Sequence, residues 1–137
     1  MLFFCSFRQP GNEYLMKKKI LCIDDSLTAR LLLEYSLAEA GYICYCASSV
    51  DEARELIAGD MPDMILLDLS MPDVSGYDFL KMKDQLNIQD VKIIVISAYD
   101  SSESIEKTRK LGVVDFIAKP IKVQNVLERI RIQFEPE

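Results

Sequence analysis

Short apolar runs alternate along this chain with longer stretches in which apolar residues return every three or four positions, and most runs end on a polar side chain. The runs are Ile20-Leu21-Cys22-Ile23, residues 42–47, Met64-Ile65-Leu66-Leu67, residues 91–96 and residues 113–118. Apolar segments of four to eight residues bounded by turn signals read as buried strands. The intervening stretches carry helix signals. Ser26 is placed to cap a helix that runs to about Ala40 and stops at Gly41. Ser49 with Glu52 three residues on is a capping box, followed by Val50, Ala53 and Ile57 at helical spacing and Gly59 as a stop. Phe79, Met82 and Leu86 form one stripe of a third helix, and a polar fourth helix spans roughly 102–111, closed by Gly112. A fifth carries Val123, Val126, Leu127, Ile130 and Phe134 along one face. Five strands alternating with five helices imply right-handed crossovers and a parallel sheet covered on both faces. The continuously apolar strands fit that doubly covered arrangement. The fold class is therefore α/β, doubly wound around a five-stranded parallel sheet.

Length allows one domain, since 137 residues leave little room for a second core. The expected division is an N-terminal extension, 1–15, and a domain, 16–137. Residues 2–7 are apolar but lack the positive start of a signal peptide, and Arg8-Gln9-Pro10-Gly11-Asn12 is a breaker cluster. Met16 is the expected functional start, with the extension dispensable; a docking arm over an apolar patch is the alternative. No apolar run reaches membrane-span length. A net charge of −6 without a basic block argues against direct nucleic-acid binding.

The chain contains no histidine, which excludes Ser-His-Asp and Cys-His nucleophile pairs and histidine metal sites. Cys5, Cys22, Cys44 and Cys46 fit neither a zinc spacing nor a C-x-x-C pair, and Cys22 and Cys44 read as small buried hydrophobes. Free thiols point to a reducing, cytoplasmic compartment.

Chemistry gathers at the strand ends. Asp24 and Asp25, Asp68, Ser97 and Lys119 each stand at the end of an apolar run. In a parallel sheet these ends share one edge, where open α/β sheets bind ligands. One strand-end Asp is weak evidence, because turns and helix caps use the same residue. Crowded carboxylates must protonate or share a cation, and Mg²⁺ suits a few carboxylates plus a phosphate.

These residues carry a family resemblance. Asp24-Asp25, the segment Asp68-Leu69-Ser70-Met71-Pro72 with Gly76, Ser97-Ala98, Phe116 and Lys119-Pro120 stand in the order of the receiver domain of two-component response regulators, and the likeness spans about residues 19–134. The resemblance implies a flavodoxin-like sheet of order 2-1-3-4-5, the order of the chemotaxis receiver. It implies that Asp68 accepts a phosphoryl group from a phosphohistidine on a sensor histidine kinase or histidine phosphotransfer protein. It implies Mg²⁺ held by Asp25 and Asp68, by Asp24 partly through water, and by the backbone carbonyl of Ser70. Lys119 would contact a phosphoryl oxygen and pair with Asp68 beforehand. Ser97 would donate to the phosphoryl group, and Phe116 would turn inward as Ser97 moves, repacking the face of the fourth helix, fifth strand and fifth helix for a downstream protein target. The Lys119-Pro120 bond is expected to be cis. Such a protein is a signalling receiver that catalyses its own phosphorylation and dephosphorylation, a monomer or weak dimer with no membrane or nucleic-acid partner.

Some positions qualify this reading. Ser70 and Tyr99 border the expected path of the attacking water, so Tyr99 either shields the acyl phosphate or is a surface aromatic. Phe116 lacks a hydroxyl and cannot hydrogen-bond when turned in. Ile121 and Ile132 fall off the last helix's buried stripe, as partner contacts or as ordinary exposed apolar residues. An aspartate-nucleophile phosphatase would need an acid two residues after Asp68, where Ser70 cannot serve. A receiver that binds a partner without phosphorylation is the remaining alternative.

Overall fold

The computed structural model describes residues 17–71 and 74–135. The expected extension, Met16 and Pro72 lie outside the described residues. Strands β1 (Lys19–Ile23), β2 (Ile43–Ala47), β3 (Met64–Leu67), β4 (Lys92–Ser97) and β5 (Asp115–Ala118) form one sheet of order β2-β1-β3-β4-β5, with every neighbouring pair parallel. The flavodoxin-like expectation holds. Parallel neighbours require crossovers, and helices supply them: α1 (Leu27–Glu39), α2 (Val50–Gly59), α3 (Gly76–Leu80), α4 (Lys83–Leu86), α5 (Ser102–Lys110) and α6 (Val123–Phe134).

Successive strand side chains point to opposite faces, so the apolar runs build two cores. Leu21, Ile23, Ile65, Leu67, Ile93 and Val95 pack on one face with Val50, Ala53 and Ile57 of α2 and Phe79 of α3. Ile20, Cys22, Met64, Leu66, Ile94, Ile96 and Ile117 pack on the other with Leu33 and Leu37 of α1 and Val126 and Ile130 of α6. No buried side-chain nitrogen or oxygen among the described residues lacks a hydrogen-bond partner. None of their helices is long and apolar enough to cross a membrane.

The third helix expected from sequence is two helices. Lys81 (φ −83°, ψ −5°) and Met82 (φ −96°, ψ 9°) interrupt it. The Met82 amide bonds to the carbonyl of Phe79, three residues back, instead of closing a full α-turn. The apolar stripe survives the break: Phe79 is buried, and Met82 and Leu86 pack against the same core. Asn87 ends α4 in the left-handed region at φ 60°. Ser26 caps α1, and Ser49 caps α2 by accepting from the Glu52 amide. The capping box is shifted by one residue, because the Glu52 carboxylate reaches back to the amide and hydroxyl of Ser48 rather than to Ser49. Ile121 departs from the sequence expectation: it packs against the second core and is not an exposed residue, whereas Ile132 is exposed.

Gly76 sets how closely α3 approaches the end of β3. Its amide bonds to the Leu69 carbonyl at 3.1 Å. A Cβ there would stand 2.7 Å from the Asp68 carbonyl oxygen and 2.7 Å from the Leu69 Cα. Both obstacles are backbone, which cannot rotate away as a side chain could. Gly76→Ala is therefore expected to cost about 1–3 kcal/mol in urea unfolding, as overpacked sites do; a change within about 0.5 kcal/mol, the ordinary range of surface substitutions, would contradict the close packing.

Candidate functional site

The sheet's own hydrogen bonding places the site. The ladders continue one residue beyond the strands: the Asp24 amide bonds to the Ala47 carbonyl at 3.1 Å, the Asp68 amide to Ile23 at 2.9 Å, and the Lys119 amide to Ser97 at 2.9 Å. Three side chains with complementary charge thus leave one sheet edge from fixed backbone positions.

Asp24 and Asp68 are buried and Asp25 is exposed, and their carboxylate oxygens lie within 4.8 Å of one another. Asp24 divides its oxygens between two tasks. Oδ1 accepts the Ser26 amide at 2.9 Å, which fixes the start of α1, while Oδ2 faces the Lys119 ammonium at 3.3 Å. The Asp24 carbonyl also accepts from the Arg30 guanidinium at 2.8 Å. Asp68 Oδ1 accepts the Ser70 amide at 3.1 Å, and Asp68 Oδ2 lies 3.7 Å from Lys119 Nζ. Lys119 therefore bridges both buried carboxylates and stands nearer to Asp24 than to Asp68, the partner that the resemblance had implied. The Lys119-Pro120 peptide is cis, as expected.

Ser97 is fully buried at the end of β4, and its Oγ accepts the Tyr99 amide at 3.0 Å. Tyr99 itself is 61% exposed. Ser70 is exposed, just beyond Asp68. Phe116 is half-buried against the core on the α2 and α3 face, and its carbonyl accepts from Arg129 of α6 at 3.4 Å. Arg129 also pairs with Asp115 at 2.7 Å, tying α6 to β5 beside Phe116. The structure thus gathers Asp24, Asp25, Asp68 and Lys119 at one point, with Ser97 at the end of the neighbouring strand.

Sequence reasoning missed two features. Leu27, Leu31 and Tyr35, four residues apart along α1, are 59, 57 and 68% exposed. The spacing that reveals this stripe is the same helical period used for the buried faces. The second feature is a cluster of Cys22, Cys44 and Cys46 beneath α1. Period-two alternation would have put Cys44 and Cys46 on one face of a strand, although not beside Cys22.

A doubly wound parallel sheet with a carboxylate cluster and a lysine at its carboxyl edge defines a class of acidic-site α/β proteins, and comparison with known proteins gives the family. A family model described as "Response regulator receiver domain" matches residues 20–131, and the chain belongs to that family. It is 26% identical over 117 residues to sporulation initiation phosphotransferase F of Bacillus subtilis (strain 168), covering 85% of this chain and 94% of that one. It is 34% identical over 117 residues to the probable transcriptional regulator ycf27 of Guillardia theta, covering 84% of this chain but only 44% of that regulator's length. Among solved structures, the Francisella response regulator 1452 receiver domain superposes with a TM-score of 0.79 at 30% identity, covering 87% of this chain and 98% of that one. The chemotaxis protein CheY4 of Vibrio cholerae superposes with a TM-score of 0.79 at 25% identity, covering 84% of this chain and 97% of that one.

Burial pushes the Asp68 carboxyl up to about 6; the Ser70 amide opposes the rise, Asp24 adds to it, Lys119 opposes it and Asp25 adds to it. Between the ordinary carboxylate range and pH 6 the folded protein then binds more protons at Asp68 than the unfolded chain does. Its contribution to stability is complete at low pH and is lost as pH rises through 6. Asp68→Asn removes this ionisation. In the presence of a chelator, the variant is expected to be more stable than the parent by about 1–3 kcal/mol at neutral pH, with the gap closing toward pH 4. Denaturant unfolding across that range checks it, and a variant of equal or lower stability at neutral pH would refute it.

Proposed function

We propose that this chain is a phosphoryl-accepting receiver of a two-component phosphorelay, with Asp68 as the acceptor. The observation that carries the reading is the Lys119 ammonium, held 3.3 Å from Asp24 and 3.7 Å from Asp68 among three converging carboxylates. Phosphoryl transfer asks little covalent work of a protein. It asks for an oriented nucleophile and for cations where negative charge develops. A carboxylate oxygen of Asp68 attacks phosphorus of a phosphohistidine, the nitrogen–phosphorus bond breaks, and an acyl phosphate forms on Asp68. The donor is another molecule or domain, because this chain has no histidine. A sensor histidine kinase or a histidine phosphotransfer protein has that chemistry.

The donor set suits a hard divalent ion. Carboxylate oxygens within 4.8 Å of one another match the ligand preference of Mg²⁺, which binds through a few carboxylates and keeps sites for phosphate oxygens. Asp24, Asp25 and Asp68 would hold it, with the Ser70 carbonyl as a further ligand. When bound, Mg²⁺ neutralises charge on the transferring group. Lys119 contacts a phosphoryl oxygen from the other side, and the Ser97 hydroxyl donates to another.

The donor must bring its phosphohistidine to the carboxyl edge, and α1 begins there, directly after Asp24, Asp25 and Ser26. Its exposed Leu27, Leu31 and Tyr35 offer an apolar strip beside the acceptor. Phe116, with the α5, β5 and α6 face around it, is the surface that responds once Ser97 engages the phosphoryl group. A bias of a few kcal/mol between two packings suffices to move the population toward a target-binding form. The compartment proposed is the cytoplasm, and residues 16–137 are the functional unit, acting as a monomer or weak dimer.

Incubation with Mg²⁺ and a small phosphodonor, followed by intact mass, is expected to give one phosphoryl adduct that is absent in Asp68→Asn. Lys119→Met should slow adduct formation about 10²- to 10³-fold, the loss typical of a transition-state charge partner. Steady release of phosphate from esters, or no adduct at all, would refute the assignment. Tyr99→Ala is expected to change the lifetime of the adduct through access of water to the acyl phosphate; an unchanged autodephosphorylation rate would leave Tyr99 a surface aromatic.

A further inference from the structure

The cysteines of β1 and β2 meet on the side of the sheet that α1 covers. Cys22 stands opposite Cys46 in the β1–β2 register, and Cys44 opposite Ile20. Cys44 and Cys46 are two residues apart and face the same way. All three thiols border the core beneath α1, Cys22 buried and the other two half-buried. The Cys22 and Cys44 sulfurs are 3.6 Å apart, and all three sulfurs lie within 4.8 Å of one another. The Cys46 thiol also points at the Arg30 carbonyl of α1, 3.7 Å away.

We propose that Cys22, Cys44 and Cys46 form a three-thiolate site for a soft d10 cation, with copper(I) as its occupant. A cation bound about 2.3 Å from each of three sulfurs in one plane spaces those sulfurs about 4.0 Å apart. The Cys22–Cys44 separation of 3.6 Å is just under that value and no pair exceeds 4.8 Å, so the sulfurs already stand within a few tenths of an ångström to about an ångström of that spacing. Thiolate sulfur selects soft ions, whereas Mg²⁺ and Ca²⁺ select oxygen, so this site and the carboxylates of the same sheet edge take different metals. Structural zinc takes four protein ligands in a tetrahedron. The group among the described residues contains three cysteines and no histidine or carboxylate, which fits trigonal copper(I) better. Each thiolate formed releases one proton to solvent, and no electron is transferred when the metal is supplied as copper(I). The half-buried Cys44 and Cys46 leave a way in. A bound ion would cross-link β1 to β2, and Cys22 precedes Asp24 by two residues.

The test uses the full chain carrying Cys5→Ser, under anaerobic conditions with a phosphine reductant. Copper(I) is titrated in competition with bicinchoninate. One equivalent is expected to bind, with a rise in thermal midpoint. Cys44→Ser and Cys46→Ser should each weaken binding on the order of 100-fold, while Asp68→Asn should leave it unchanged. Alkylation by iodoacetamide, read by peptide mass on the unmutated trio, gives a readout that no folding defect can mimic. Copper(I) should protect Cys44 and Cys46. Failure to take copper from the chelator, binding that survives both serine changes, or undiminished alkylation would overturn the site.

Discussion

Parallel pairing forces the carboxyl ends of five strands onto one edge, and here the pairing extends a residue further than the strands themselves. The amides of Asp24, Asp68 and Lys119 are each held by a carbonyl of the neighbouring strand. Backbone hydrogen bonds, not the attraction between charges, therefore decide where these side chains start. This matters because the charges alone would not choose the arrangement. Three carboxylates within 4.8 Å repel, and one of them is 3% exposed, so water screens it poorly. The sheet holds them together against that repulsion, and Lys119 offsets only part of it.

The cost of this arrangement is met elsewhere in the molecule. Both faces of the central strands are buried, and burial of each large aliphatic side chain contributes about 1.5–3 kcal/mol. Site strain of a few kcal/mol is small beside the sum of such terms. The same logic explains Gly76. Gly76 lies against the Asp68 and Leu69 backbone, and only a residue without a side chain lets its amide reach the Leu69 carbonyl at 3.1 Å there. Asp24 saves space in another way. One of its oxygens starts α1 and the other meets Lys119, so a single carboxylate joins a helix cap to the charge cluster.

The strands were legible because each is a short apolar run between breakers, and Asp24, Asp68, Ser97 and Lys119 were legible because each follows or ends such a run. Helix starts were legible at Ser26 and Ser49, whose caps are local chemistry. The break at Lys81-Met82 was not, because the stripe of Phe79, Met82 and Leu86 tolerates a tightened turn without leaving the core. Ile121 was misjudged for a related reason: it precedes α6, so helical periodicity says nothing of where it points, and its loop carries it into the second core. The expected pairing of Lys119 with Asp68 is present, but its closer approach to Asp24, by fractions of an ångström, is a detail that no spacing encodes. The thiol cluster depended on strand register across β1 and β2, a long-range fact that appears only once the sheet is assembled.

Ser97 shows how the edge can pass on a chemical event. Its carbonyl holds the Lys119 amide, and its Oγ accepts the Tyr99 amide at 3.0 Å. A hydroxyl has one donor and two acceptor positions. On the proposed function, the Ser97 hydrogen can therefore go to a phosphoryl oxygen while Tyr99 stays bound. Movement of Ser97 then carries the loop after β4 with it rather than detaching from it. The neighbouring strand feels the same movement, since Ser97 is registered with Ala118, two residues beyond Phe116. Arg129 holds Asp115 and the Phe116 carbonyl from α6, which ties the backbone of β5, and on the proposed function the half-buried Phe116 ring is the part that turns. Rigid main chain around one adjustable side chain is what a two-state surface requires, because packed interiors shift between discrete arrangements rather than bending continuously.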